Sequence, residues 1–179
     1  MTRLVHTYAI VPAGPDDAAA LARVHVTAWR ETYDGILPPA YLDRLSVPLQ
    51  ARRWRRRLTD GAEVTLVAEG PDDAVGYASA AWSRHAGAEH EAEINTLYLV
   101  RAAQGVGLGR DLLTAAARVM AARGAMSLVI GVLRDNVRAR GFYERLGGRC
   151  EDGAGDWVAG RTVATVDYRW GDLAELIGG

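Results

Sequence analysis

Leu97-Tyr-Leu-Val-Arg-Ala-Ala-Gln-Gly-Val-Gly-Leu-Gly109-Arg-Asp-Leu-Leu113 is the stretch that decides the fold. An apolar run, Leu97–Val100, reads as the end of a strand. Three glycines at alternate positions, Gly105, Gly107 and Gly109, then let the backbone curl, and a helix begins with Leu108 and Leu112 on one face. The open N–H groups of a helix start, reinforced by the helix dipole, make an anion site suited to a pyrophosphate. Arg101 and Arg110 flank that turn and supply guanidiniums that pair with phosphates.

Two better-known phosphate motifs are excluded. Counted from Gly105 and Gly107, the last glycine of G-x-G-x-x-G falls on Arg110, so the dinucleotide fingerprint fails. All 21 basic residues are arginine. Without lysine there is no Walker A loop and no Schiff-base chemistry.

Working outward, residues 91–100 read as one strand with two faces. Glu91, Glu93, Asn95, Leu97 and Leu99 alternate with Ala92, Ile94, Thr96, Tyr98 and Val100, which sets Glu93 on the face of Leu97. Downstream, the helix carries Ala116 and Val119 and ends at Gly124. Residues 127–133 form an apolar strand covered on both sides, and residues 136–146 a short helix stopped by Gly147-Gly148. Residues 149–158 and 161–170 read as a closing hairpin. Upstream, residues 7–11 read as a first strand. A helix capped by Asp16 or Asp17 then carries Leu21, Val24 and Ala28 and stops near Gly35. Further helices run from Pro38 through Leu45 and from Pro48 to Leu58. Strands at 64–68 and 75–82 are joined by Gly70-Pro-Asp-Asp73. This order predicts an α/β (α+β) protein with a mixed sheet flanked by helices, one domain over residues 1–179.

The segment Gln104-Gly-Val-Gly-Leu-Gly109, behind Leu97–Val100, resembles the Gln/Arg-x-x-Gly-x-Gly/Ala signature of the GNAT superfamily of acyl-CoA-dependent N-acyltransferases. A second element agrees: Asn136-Val-Arg-Ala139-Arg-Gly-Phe142-Tyr143 looks like that family's Asn-x-x-Ala-x-x-Phe-Tyr helix. One helix and one buried strand separate the two, as in the family. A Phe or Tyr often follows the final glycine, whereas Gly147-Gly148-Arg149 stands here.

The resemblance implies a mostly antiparallel sheet of about seven strands, splayed between strands 4 and 5, and acetyl-CoA as co-substrate with no metal. It implies that Leu97, Tyr98 and Leu99 lend backbone groups to the pantetheine arm, with Leu97 N–H facing the thioester oxygen. Gln104, Gly105, Val106, Gly107, Leu108, Gly109 and Arg110 would hold the pyrophosphate. Asn136 would steady the arm, Tyr143 would protonate the departing thiolate, and Glu93 would take the amine proton through water. Each position also fits a plainer role. Tyr143 shares a helical stripe with Ala139, Phe142 and Leu146, Glu93 fits a solvated strand carboxylate, and Asn136 fits an N-cap.

Trp29, Tyr33 and Trp82 are candidates for the acceptor site, though each also reads as packing. His85, Glu89, His90 and Glu91 match no standard zinc spacing. The Arg52–Arg57 run reads as the polar faces of a helix. Cys150 has no partner for an internal disulfide,. A net charge of −1 advertises neither nucleic acid nor a membrane surface,. Residues 1–8 lack the apolar core of a signal peptide, so a cytoplasmic location is expected. The expected function is acetyl transfer to a primary amine, on a small molecule or a protein N-terminus. Its rival is a non-catalytic acyl-CoA-binding module of the same fold. The family's habit of pairing subunits through the late hairpin is compatible with a homodimer.

Overall fold

The computed structural model describes residues 8–84 and 89–178. In chain order its elements are β1 (Ala9–Pro12), α1 (Ala18–Tyr33), α2 (Pro39–Asp43), α3 (Val47–Asp60), β2 (Val64–Glu69), β3 (Ala74–Trp82) and β4 (Glu91–Leu99). There follow α4 (Leu108–Ala122), β5 (Ser127–Leu133), α5 (Val137–Arg145), β6 (Arg149–Asp152), β7 (Asp156–Val158), β8 (Arg161–Val163), β9 (Thr165–Trp170) and α6 (Leu173–Gly178).

Seven strands make one sheet in the order β1-β2-β3-β4-β5-β9-β6. Its neighbours pair antiparallel except β4 and β5, which run parallel. That parallel ladder is short: Glu91, Ala92 and Glu93 pair with Ser127, Leu128 and Val129, and beyond them the two strands part. The splay expected between strands 4 and 5 is therefore present.

Each face of the sheet buries its own core. On one side α4, α5 and α6 cover Leu66, Ala78, Ala80, Ile94, Leu128, Ile130 and Tyr168, with Leu112 and Leu113 of α4 fully enclosed. On the other, α1 and α3 cover Val67 and Tyr77 with Leu21, Val24 and Trp54. The small side chains of β3 (Ala78, Ala80) let α4 lie close, so the apolar area removed from water is large per residue.

Four expectations are corrected. First, β4 is not a regular two-faced strand: Ser79 faces Thr96 but Ala80 faces Ile94, so Asn95 is an extra, bulged residue,. The bulge reverses the alternation, and Glu93 shares its face with Thr96 and Tyr98, not with Leu97. Second, the closing hairpin is two structures. β6 pairs with β9, while β7 and β8 form a separate ribbon. The chain divides at Gly153, where a Cβ would run into Thr165, and the ribbon turns at Ala159-Gly160, both at positive φ,. Third, Asp17 caps no helical amide; its Oδ2 accepts from Gly14 N–H at 2.7 Å and braces the turn before α1. Fourth, in α4 the core stripe ends on Met120 rather than on Val119, which is only partly covered. Thr7, expected to start the first strand, lies outside the described residues.

Candidate active site

The gap between β4 and β5 is occupied by a cavity of about 620 Å³, within the range of ligand sites. Its floor is β4 and β5 (Thr96 to Leu99, Ile130 to Val132), one wall is α5 and the other the end of α1. The glycine turn and the start of α4 form its mouth.

Strand geometry determines what the floor offers. Val100 N–H donates to Val75 O at 2.9 Å, so alternation turns the amides of Leu99 and Leu97 away from β3 and into the gap,. Consistent with this, the Gln104 side chain donates from Nε2 to Leu99 O at 2.9 Å. Among the described residues β5 pairs with β4 only as far as Glu93, so the other groups that face the gap are available to an extended ligand.

At the mouth, the glycines do different work. Gly105 and Gly107 have φ of 79° and 93°, which only glycine adopts cheaply. Gly109 has ordinary φ, but its Cα lies against Phe142, where a Cβ would sit 3.4 Å from the ring. Gly107 stands at the N-cap of α4 and has no side chain to satisfy the first-turn N–H groups. Its carbonyl takes the Arg110 N–H at 2.9 Å, and the N–H groups of Leu108 and Gly109 are left for an anion. Arg110, Arg138 and Arg145 line the cavity and have no hydrogen-bond or ion-pair partner among the described residues. Arg101 lines it too, but is tied to α1: its N–H donates to Glu31 Oε2 at 2.7 Å and its Nη2 to Glu31 O at 2.9 Å. Three unpaired guanidiniums around one mouth favour a ligand carrying several phosphate charges.

Deeper in, three phenols converge. Tyr33 and Tyr98 share a hydrogen bond of 3.0 Å between their hydroxyls. Tyr143 is 4% exposed and packs its ring edge against Phe142 and Trp170, yet no described residue accepts from its hydroxyl. Burial pushes all three phenols above their ordinary pKa, Tyr98 and Tyr143 well above it. They stay protonated, so none serves as a general base, and each has a proton to donate.

The other expected site residues divide between the cavity and places outside it. Asn136 lines the cavity and is also the N-cap of α5, its Oδ1 accepting from Ala139 N–H at 3.1 Å. Val106 projects its side chain into solvent and Leu108 packs into the core, so neither lines the cavity with Gly105, Gly107 and Gly109. Glu93 stands at the vertex of the split, outside the lining. Trp82 lies on the sheet face away from α1, 45% exposed and remote from the site. Trp29 is one turn before Tyr33 on α1, and it lines a different, smaller cavity. Arg138 and Arg145 were missed because α5 reads from sequence only as an Asn-capped aromatic helix. Their seven-residue spacing, two turns on one helix side, was the available signal.

Among the described residues, no helix is long and apolar enough to cross a membrane, and no cluster of His, Cys, Asp and Glu could hold a metal ion. His85 lies outside the described residues.

Comparison with known proteins gives a consistent picture. The sequence pattern of the acetyltransferase (GNAT) family matches residues 26–148. The uncharacterized N-acetyltransferase YuaI of Bacillus subtilis is 29% identical over 161 residues, covering 90% of this chain and 91% of its own. The PaiA N-acetyltransferase of Thermoplasma acidophilum, solved in complex with coenzyme A, superposes with a TM-score of 0.72 at 21% identity, over 92% of this chain and 99% of that one. YncA of Salmonella typhimurium, solved with its cofactor acetyl-CoA, gives 0.67 at 23% identity, over 93% and 94% of the two chains. At such identities the two structures speak for the fold alone.

Proposed function

The chain belongs to the acetyltransferase (GNAT) family, and from that premise we propose that it carries an acetyl group from acetyl-CoA to a primary amine by direct attack in a ternary complex. Acetyl-CoA is the co-substrate, in keeping with the coenzyme A and acetyl-CoA held by the two structural relatives. The observation that carries this reading is the split itself. The β4–β5 ladder stops at Glu93 and Val129, and the cavity that follows joins a strand with inward-facing amides to an arginine-rich mouth.

In this reading the phosphates lie on the open amides of α4, near Arg110, Arg138 and Arg145. The thioester arm runs along Leu97 and Leu99. A neutral amine attacks the thioester carbon; the C–N bond forms and negative charge grows on the oxygen, where Leu97 N–H meets it. The C–S bond then breaks. A thiol's ordinary pKa of about 8.5 makes its thiolate easy to protonate, and the buried Tyr143 hydroxyl is the donor. Glu93, at the vertex, takes the amine proton through water. The acceptor enters from the side bounded by Tyr33 and the β7–β8 ribbon, which packs on α1 and α2 through Val158.

The test is release of free thiol from acetyl-CoA over a panel of amino acids, polyamines and N-terminal peptides. The expected result is release that depends on one class of amine. Binding of acetyl-CoA with no release across the panel would mark a non-catalytic acyl-CoA module instead.

A further inference from the structure

A second cavity, of about 260 Å³, lies between α1, α2 and α3 on the far side of Trp29 from the phenols. Its volume matches about nine waters, enough for one small aromatic ring with a substituent. Trp29, Tyr41 and Trp54 give it flat walls. Most of its polar groups are donors, while the Gln50 amide and the Tyr41 hydroxyl can both donate and accept,.

Consider each in turn. His25 lines the cavity and its Nδ1 lies 2.8 Å from the Tyr77 hydroxyl. Tyr77 is fully buried and has no other hydrogen-bond partner among the described residues, so its hydroxyl donates to Nδ1 and the imidazole proton is on Nε2. Burial first, and the nearby Arg57 and Arg53 second, hold this ring's pKa down at about 4, so it is neutral. Arg57 is already matched: its Nη2 meets Glu63 Oε2 at 2.5 Å, and its guanidinium lies 4.2 Å over the Trp54 ring. Arg53, at the rim, has no hydrogen bond or ion pair among the described residues. The pocket therefore carries one uncompensated positive charge. The Trp29 Nε1 is shut off from solvent without an acceptor, a costly state for a buried N–H, so the Trp29 side chain meets the pocket through its ring.

We propose that this pocket binds a small, flat organic monocarboxylate, with its ring between the Trp29 and Trp54 walls and its carboxylate on Arg53. One unpaired guanidinium matches one carboxylate, whereas a phosphate dianion would leave a charge unmatched. A cation is repelled by both arginines. A neutral ring would leave the Arg53 and His25 donors no better satisfied than water does. The site is separate from the acetyl-transfer cavity, and its occupation does not depend on turnover.

Benzoate is the probe, with benzamide and benzylamine as neutral and cationic counterparts. The readout is the indole N–H resonance of Trp29 in ¹H–¹⁵N spectra of the full chain, identified by its loss in Trp29→Phe. Benzoate is expected to shift that resonance saturably with a Kd of about 1 mM or tighter. Benzamide and benzylamine at the same concentrations leave it in place. Arg53→Gln, an exposed substitution that leaves the other indole signals unmoved, weakens benzoate by about tenfold or more. A shift that does not saturate, equal responses to the three probes, or an unchanged Kd in Arg53→Gln would each overturn the proposal.

Discussion

Tyr143 combines two properties that rarely meet: its ring is held on three sides by aromatic neighbours, and its hydroxyl has no acceptor among the described residues. A phenol kept protonated by burial always carries the proton a thiolate needs, but its raised pKa makes it a weaker acid than an exposed tyrosine, so it meets the departing sulfur first as a hydrogen-bond donor,. Tyr143→Phe removes one oxygen and little packing. We therefore expect kcat to fall about 100-fold or more, with acetyl-CoA affinity changed less than about threefold. Steady-state kinetics beside direct binding measurements would separate the two, and an unchanged kcat would take Tyr143 out of the chemistry. Legibility at this scale was uneven. Tyr143, Asn136 and Gln104 were found because each sits inside a short local pattern. Trp29 lines the smaller cavity instead, and nothing local in the sequence distinguishes a residue facing one cavity from one a helical turn behind it.

At the scale of elements, β4 and the turn that follows it do most to build the site. The phase slip at Asn95 is written in the sequence: Ala92 and Ile94 are core-facing at even positions, Leu97 and Leu99 at odd ones. It went unread because Tyr98 and Val100 are apolar too and continue the earlier phase. A reversal of one residue moves every later side chain to the other face, which is why Glu93 parted from Leu97. The glycine turn was legible for the opposite reason, since positive φ leaves its mark directly on residue type. Gly107 has open space where a Cβ would go, so any penalty for Gly107→Ala comes from its φ of 93°. That substitution is expected to cost about 1–2 kcal/mol in urea unfolding and to weaken acetyl-CoA, because a relaxed turn redirects the α4 amides. A variant as stable as the parent would show that the turn is not strained there.

At the scale of the whole molecule, stability and pH are tied through His25. Its folded pKa is about 4 against an ordinary 6.5. Between those values the unfolded chain takes a proton that the native ring refuses, so the unfolded state binds more protons and gains as pH falls. The contribution is fully present above about pH 6.5 and lost toward pH 4, up to about 3 kcal/mol by the 1.36 kcal/mol attached to each pKa unit. Urea unfolding at pH 7 and pH 4.5 should show a wider gap in the parent than in His25→Gln, whose amide can still accept from Tyr77. Equal gaps would mean that the ring titrates as freely folded as unfolded. Local patterns in the chain determined most of the architecture: the glycine turn, the Asn-capped helix and the order of strands and helices. Such features are properties of neighbours in sequence, set by dihedral preference and periodicity. Only the tertiary structure decided that Arg138 and Arg145 join Arg110 at one mouth, that Trp29 and Arg53 face a pocket of their own, and that Trp82 stands outside both. Those placements depend on a bulge, a strand split and helix packing, where residues far apart in the chain set each other's orientation through the space they leave.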